Sequence, residues 1–154
     1  MGIVFSYFWN ETDVVDAAKG ELSKVLETLP TSGLLKKTNT GFIYVDVDDR
    51  FIWSGIKVLK KFGFKEPPYF GEDVVGAHIS VMFEAEGEEV DVQDILNMEV
   101  NFEVEKFEMV KPGGNQELFL VIVSADILDD LREENGLVKM RNPFHITIAT
   151  RKEK

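Results

Sequence analysis

The sequence predicts an α+β protein of two pseudo-symmetric lobes, each combining a mainly antiparallel sheet with flanking helices around a central cleft. Three observations predict it. Short apolar runs rich in β-branched and aromatic residues alternate with helix-period segments. The order strand, polar cap, helix, variable connection and His-bearing strand occurs twice. Turn residues such as Pro30, Gly63, Gly76, Gly136 and Pro143 punctuate the elements.

Taken in order, Ile3 to Trp9 reads as a strand, and Asn10 to Leu29 as a helix. Thr12 is its candidate cap, and Val15, Ala18, Leu22, Val25 and Leu29 are its apolar stripe. Thr31 to Gly41 has loop chemistry. Phe42 to Val47 reads as a strand, with Asp48 and Asp49 as caps for a helix whose apolar face is Ile52, Ile56, Leu59 and Phe62. Gly63 is its expected stop. A turn-rich segment with Pro67, Pro68, Gly71 and Gly76 leads to a strand from Ala77 to Phe83. The acidic stretch Glu84 to Asp94 reads as a solvated excursion. Val100 to Val110 reads as one long strand, with a bulge where the alternation changes phase near Lys106 and Phe107.

The second half repeats the order. Leu118 to Val123 is a strand, Ser124 opens a short helix carrying Ile127, Leu128 and Leu131, and Phe144 to Thr150 is the closing strand. The chain is thus expected to form one bilobal domain over 1–154. Residues 1–41 are an N-terminal strand-helix extension, about 42–110 the first lobe with His78, and about 117–151 the second repeat with His145.

Composition narrows the function. The formal net charge is −11, and no basic run is longer than a pair outside the Arg151 to Lys154 tail. A long nucleic-acid duplex normally requires many Lys and Arg against its phosphates, so such a partner is not expected. No apolar stretch approaches the roughly 20 residues of a membrane span. The chain has no Cys, which excludes disulfides, thiolate catalysis and cysteine zinc sites and is compatible with a reducing cytoplasm.

The chemistry concentrates in the only two histidines, in His78-Ile79-Ser80-Val81 and His145-Ile146-Thr147-Ile148. Both segments read His, Ile, hydroxyl, β-branched aliphatic. On a strand, His78 and Ser80 share one face and Ile79 and Val81 the other; His145 and Thr147 are likewise opposed to Ile146 and Ile148. A lone strand His is usually a structural residue. Two in matched motifs point instead to an acid–base pair, with the hydroxyls as phosphate-oxygen ligands. Imidazole titrates near pH 6.5, so both protonation states are reachable near neutrality. No metal ligand set such as HExxH accompanies them, and neither metal nor cofactor is expected.

The paired H-Φ-[ST]-Φ motifs resemble those of the 2H phosphoesterase superfamily, which includes bacterial and archaeal RNA 2′,3′-cyclic phosphodiesterases related to RNA ligase-like proteins. Pro143 to Thr150 (PFHITIAT) is close to the second family motif, and the likeness covers about Phe42 to Arg151. The resemblance implies His78 and His145 as the catalytic pair, with Ser80 and Thr147 binding phosphate. It implies a phosphodiesterase acting on a 2′,3′-cyclic phosphate of a nucleotide or short RNA, expected from the residues to be metal-independent and cytoplasmic. Strand alternation would place Arg151 on the His145 face as a candidate phosphate contact. Tyr69 and Phe70 are candidate base-stacking residues against a reading as core caps. Lys139 and Arg141 are weaker phosphate candidates. Competing functions are hydrolysis of cyclic nucleotide or cyclic oligonucleotide messengers, and a non-catalytic nucleotide-binding module or adaptor on the same fold. Oligomeric state has no signature in the sequence.

Overall fold

The computed structural model describes residues 11–71 and 74–152, so the strand expected at Ile3 to Trp9 lies outside the described residues. Helix α1 spans Glu11–Leu26. Thr12, expected as its cap, falls inside that span. The buried stripe is Val14, Ala18, Leu22 and Leu26, with Leu29 just beyond the end, whereas Val15 and Val25 are only half-buried. The face is therefore rotated slightly from the one expected. Each of the buried Val and Leu side chains contributes roughly 1.5–3 kcal/mol.

The segment expected as a loop contains strand β1, Ser32–Lys37. Only Leu35 in it is fully buried, which is why its pattern looked polar. It pairs antiparallel with β2, Ile43–Asp46. Helix α2, Arg50–Leu59, follows and is extended by a 3₁₀ turn, Lys60–Phe62. Gly63 ends it at φ +88°, a left-handed conformation that costs a side-chain-free residue little. Strand β3 is His78–Met82.

The acidic excursion is in part packed structure. It holds a short helix α3, Glu84–Gly87, and a 3₁₀ turn, Gln93–Ile95. Val92 is buried, and the carbonyl of Val90 accepts a hydrogen bond from Lys37 Nζ at 2.7 Å. Glu86 meets Arg132 across the fold.

The long strand expected from Val100 is broken at Phe102. Strand β4, Glu99–Asn101, pairs with β1, whereas β5, Glu103–Gly113, pairs with β6, Gln116–Ser124. The expected bulge is present as a register shift between Val104 and Lys106. Ser124 closes β6, bonding Glu105 through its hydroxyl, and helix α4, Asp126–Glu134, starts after Ala125. Leu128 and Leu131 face the core, but Ile127 is exposed. Strand β7 is His145–Lys152.

These strands make one antiparallel sheet in the order β4-β1-β2-β3-β7-β6-β5. Its two edges, β4 and β5, are successive in the chain with Phe102 alone between them. A sheet whose edges are joined by one residue cannot lie open, so it curls into a half-barrel. Phe102 is buried against Phe51 of α2, their ring centroids 6.2 Å apart, and its N–H bonds the carbonyl of Thr31.

Outward from the β3–β7 boundary, β3-β2-β1 on one side matches β7-β6-β5 on the other, with β4 added beyond β1. At that boundary the central pair is Ile79 opposite Ile146, both fully buried. Corresponding bonds recur: Val47 N–H to the Ala77 carbonyl and Val123 N–H to the Phe144 carbonyl. The α+β class, the antiparallel sheet and the duplicated order are those the sequence predicts.

Arg132 of α4 ties the second half to the first. Its side chain is 3% exposed and donates to the Val81 carbonyl at 2.8 Å, to both Glu86 carboxylate oxygens and to the Val138 carbonyl. Hydrogen bonding to Arg132 holds the Glu86 carboxyl below its usual range. Its contribution is therefore present above the unfolded carboxylate range and is lost as pH falls through the folded value. Arg132→Ala should destabilise the protein by roughly 3 kcal/mol, read as a lower denaturant midpoint with an unchanged slope.

Candidate active site

Ile79 and Val81 of β3 and Ile146 and Ile148 of β7 are fully buried, while His78, Ser80, His145 and Thr147 are half-exposed. Because Ile79 and Ile146 are paired, both motifs present their polar residues on the same side of the sheet. The antiparallel register about that pair brings His78 alongside Thr147 and Ser80 alongside His145. His145 lies near enough to act electrostatically on His78.

The two imidazoles are oriented in the same way. His78 Nδ1 lies 2.8 Å from the Gly76 carbonyl, and His145 Nδ1 lies 3.0 Å from the Pro143 carbonyl. A carbonyl oxygen only accepts, so each Nδ1 carries a hydrogen. Each Nε2 is thereby left to exchange a proton with a ligand, accepting when neutral and donating when charged. Among the described residues neither Nε2 nor the hydroxyls of Ser80 and Thr147 hydrogen-bond to protein.

The first histidine has an additional support. Asp49, expected as a helix cap, makes no capping bond; its Oδ1 accepts the Ala77 N–H at 2.9 Å. Gly76 sits at φ +75°, and a Cβ there would approach Asp49 Oδ1 to 2.5 Å. Only glycine fits between the aspartate and the carbonyl that orients His78.

Three aromatic rings surround His78: Tyr69 at 4.7 Å between centroids, Phe42 at 5.6 Å and Tyr44 at 5.9 Å, each edge to face. The burial they impose pulls the His78 pKa below the ordinary imidazole value, and the charge of His145 acts in the same sense. The Gly76 hydrogen bond and the Asp46 carboxylate oppose this without reversing it.

Tyr69 is placed differently from a free stacking residue. Its hydroxyl donates to the Thr147 carbonyl at 2.6 Å while its ring packs on His78, so it braces one motif against the other. Burial pushes its phenol up to about 12, which keeps it a donor. Phe70 is half-buried against the core. Lys139 and Arg141 are exposed in the connection before β7.

Arg151 is the clear correction. Strand β7 does extend through it, but a register shift intervenes: Leu120 pairs with Thr147 and Phe119 with Ala149, leaving Ile148 as an extra residue. One inserted residue exchanges the faces of everything beyond it. Arg151 pairs with Glu117, on the same side as Phe119 and Val121, and so lies opposite the His145 face. Its guanidinium bonds Glu117 at 2.9 Å and the Phe62 carbonyl at 2.6 Å and stacks 4.6 Å from the Phe64 ring.

Among the described residues no group of three or more His, Asp or Glu is arranged to hold an ion. Nor is any helix there long and apolar enough to cross a membrane.

Two histidines are thus oriented alike on symmetry-related central strands, with a hydroxyl beside each. Consistent with that arrangement, the model for the Swiss Army Knife 2H phosphoesterase domain matches residues 43–154. The chain belongs to the 2H phosphoesterase family. No curated protein and no solved structure matches it at a significant level. The family match takes in both motifs of this 2H phosphoesterase and starts after α1 and β1.

Missed in the sequence reading were Phe42, Tyr44 and Asp46, which share the site face. Their signal was present: Ile43, Val45 and Val47 are buried, so alternation sends the residues between them to the opposite side. Tyr69→Phe should keep the ring on His78 but leave the Thr147 carbonyl without its donor. The expected loss is about 1 kcal/mol of stability by denaturation, with a shift in the Ile148 amide resonance, which shares the peptide group of that carbonyl.

Proposed function

We propose that this 2H phosphoesterase is a metal-independent phosphodiesterase that hydrolyses a 2′,3′-cyclic phosphate on a nucleotide or short RNA end. The observation that carries the reading is the matched Nδ1–carbonyl bond at His78 and His145, which directs two proton-exchanging Nε2 atoms to one face. Water attacks phosphorus as one imidazole takes its proton. The phosphorus–oxygen bond to the ribose breaks as the other imidazole protonates the departing oxygen. Ser80 and Thr147 donate to the nonbridging oxygens and hold the attack in line.

His78 takes the base role in this scheme, because its aromatic surroundings favour the neutral ring. His145 is then the acid. The strongly acidic chain suits a compact substrate over a long nucleic acid, and the absence of Cys suits a cytoplasmic setting. Within the same chemistry, cyclic nucleotide messengers are the next substrates to screen.

His78→Ala and His145→Ala should each lower kcat by roughly 10²–10⁴-fold while leaving the fold intact by circular dichroism. Full activity in either variant would refute the pairing. Turnover should persist in EDTA. The profile of kcat/KM against pH should be bell-shaped. A base with a lowered pKa must lose its proton before it acts, so the acid limb should lie below about pH 6.5. An acid limb set by His145 instead would survive in shape when the surroundings of His78 are altered by Phe42→Ala.

A further inference from the structure

The internal repeat allows the surroundings of the two histidines to be compared position by position. Opposite His78 on the neighbouring strand stands Asp46, and opposite His145 stands Ile122. Opposite Ser80 stands Tyr44, and opposite Thr147 stands Leu120. The wall beside the second motif is therefore aliphatic, with Leu120 and Ile122 4% and 6% exposed. Beside the first motif it carries a half-buried carboxylate and a half-buried phenol. The repeat is symmetric in backbone and strongly asymmetric in chemistry.

Among the described residues the Asp46 carboxylate makes no hydrogen bond and no ion pair, although it is half-buried. Lys36, whose charge acts on Asp46, gives its ammonium to Asn97 Oδ1. Asp49, which adds to the negative potential at Asp46, is committed to the Ala77 N–H. A partly desolvated carboxylate with free lone pairs is costly unless something donates to it. Next to a phosphate-binding pair it is also unfavourable to a second anion, since like charges brought close on a half-buried face repel.

We propose that Asp46 determines specificity: it accepts a hydrogen bond from a hydroxyl or amine of the substrate on the His78 side, and it rejects substrates that place another phosphate there. The inference rests on the phosphodiesterase reading and sharpens it. The substrate class becomes a single phosphodiester within an otherwise uncharged, hydroxyl-bearing molecule, such as a 2′,3′-cyclic mononucleotide with a free 5′-hydroxyl. A strand end whose next phosphate follows at once is disfavoured.

Two ligand pairs test this. For turnover, 2′,3′-cyclic nucleotides with a 5′-hydroxyl and with a 5′-phosphate are compared by kcat/KM. For binding without turnover, the corresponding nucleoside 3′-monophosphate and 3′,5′-bisphosphate are compared by calorimetry. The native protein should prefer the 5′-hydroxyl member of each pair. Asp46→Asn keeps an acceptor oxygen and removes the charge, so it should shrink that preference on the order of tenfold. Asp46→Ile, which copies the opposite wall, should lose affinity for the 3′-monophosphate; unchanged melting temperatures of both variants establish that they fold. If the selectivity of Asp46→Asn equals that of the native protein, or no nucleotide binds at all, the assignment of Asp46 is overturned. If binding selectivity behaves as stated and no phosphodiester is hydrolysed, the catalytic reading fails and the Asp46 assignment stands.

Discussion

The pairing of Ile79 with Ile146 is the contact on which the rest of the molecule depends. Both side chains are fully buried, and each is flanked in sequence by the polar residues of its motif. Burying the two isoleucines on one side of the sheet forces both histidines and both hydroxyls to the other. A slip of one residue in that register would put the imidazoles in the core and the isoleucines in water. The hydrophobic effect thus sets which side of the sheet carries the polar residues of both motifs.

Around that pair the connections stiffen what the strands leave loose. Tyr69 reaches from the first connection to the Thr147 carbonyl, and Arg132 reaches from the last helix to the Val81 carbonyl. Each fastens a segment of one half to the central strand of the other. Lys65 adds a two-bond bridge to Thr150 farther along β7, at 2.8 and 2.9 Å. The curl of the sheet has the same economy: a single buried residue, Phe102, carries the chain from one edge strand to the other.

The repeat is not carried through to the walls of the site. Its backbone is duplicated in strand order, in the orientation of both imidazoles and in the bonds that lead into the central strands. Its side chains diverge where a substrate would lie, with Tyr44 and Asp46 facing one motif and Leu120 and Ile122 the other. Two identical walls would present a phosphodiester with no preference for either direction. Unequal ones give each histidine a different neighbour, as the proposed division into acid and base would require.

Local alternation in the sequence determined which faces of the two histidine motifs are polar, where α2 stops, and that the chain is an antiparallel α+β repeat, because these follow from the period of a strand or helix over a few residues. Alternation in Phe42 to Val47 also held the information that Tyr44 and Asp46 face away from the core, but only cross-strand register put them beside Ser80 and His78. Other features were decided by tertiary structure alone. Strand β1 is stabilised by its neighbours on both sides and has a single fully buried side chain, so its residues read as a loop. The break at Phe102 leaves the apolar pattern nearly undisturbed while sending its two sides to opposite edges of the sheet. Arg151 was assigned to the wrong face because the extra residue at Ile148 is visible only against its partner strand. A bulge is a property of two strands, and one strand's sequence cannot announce it.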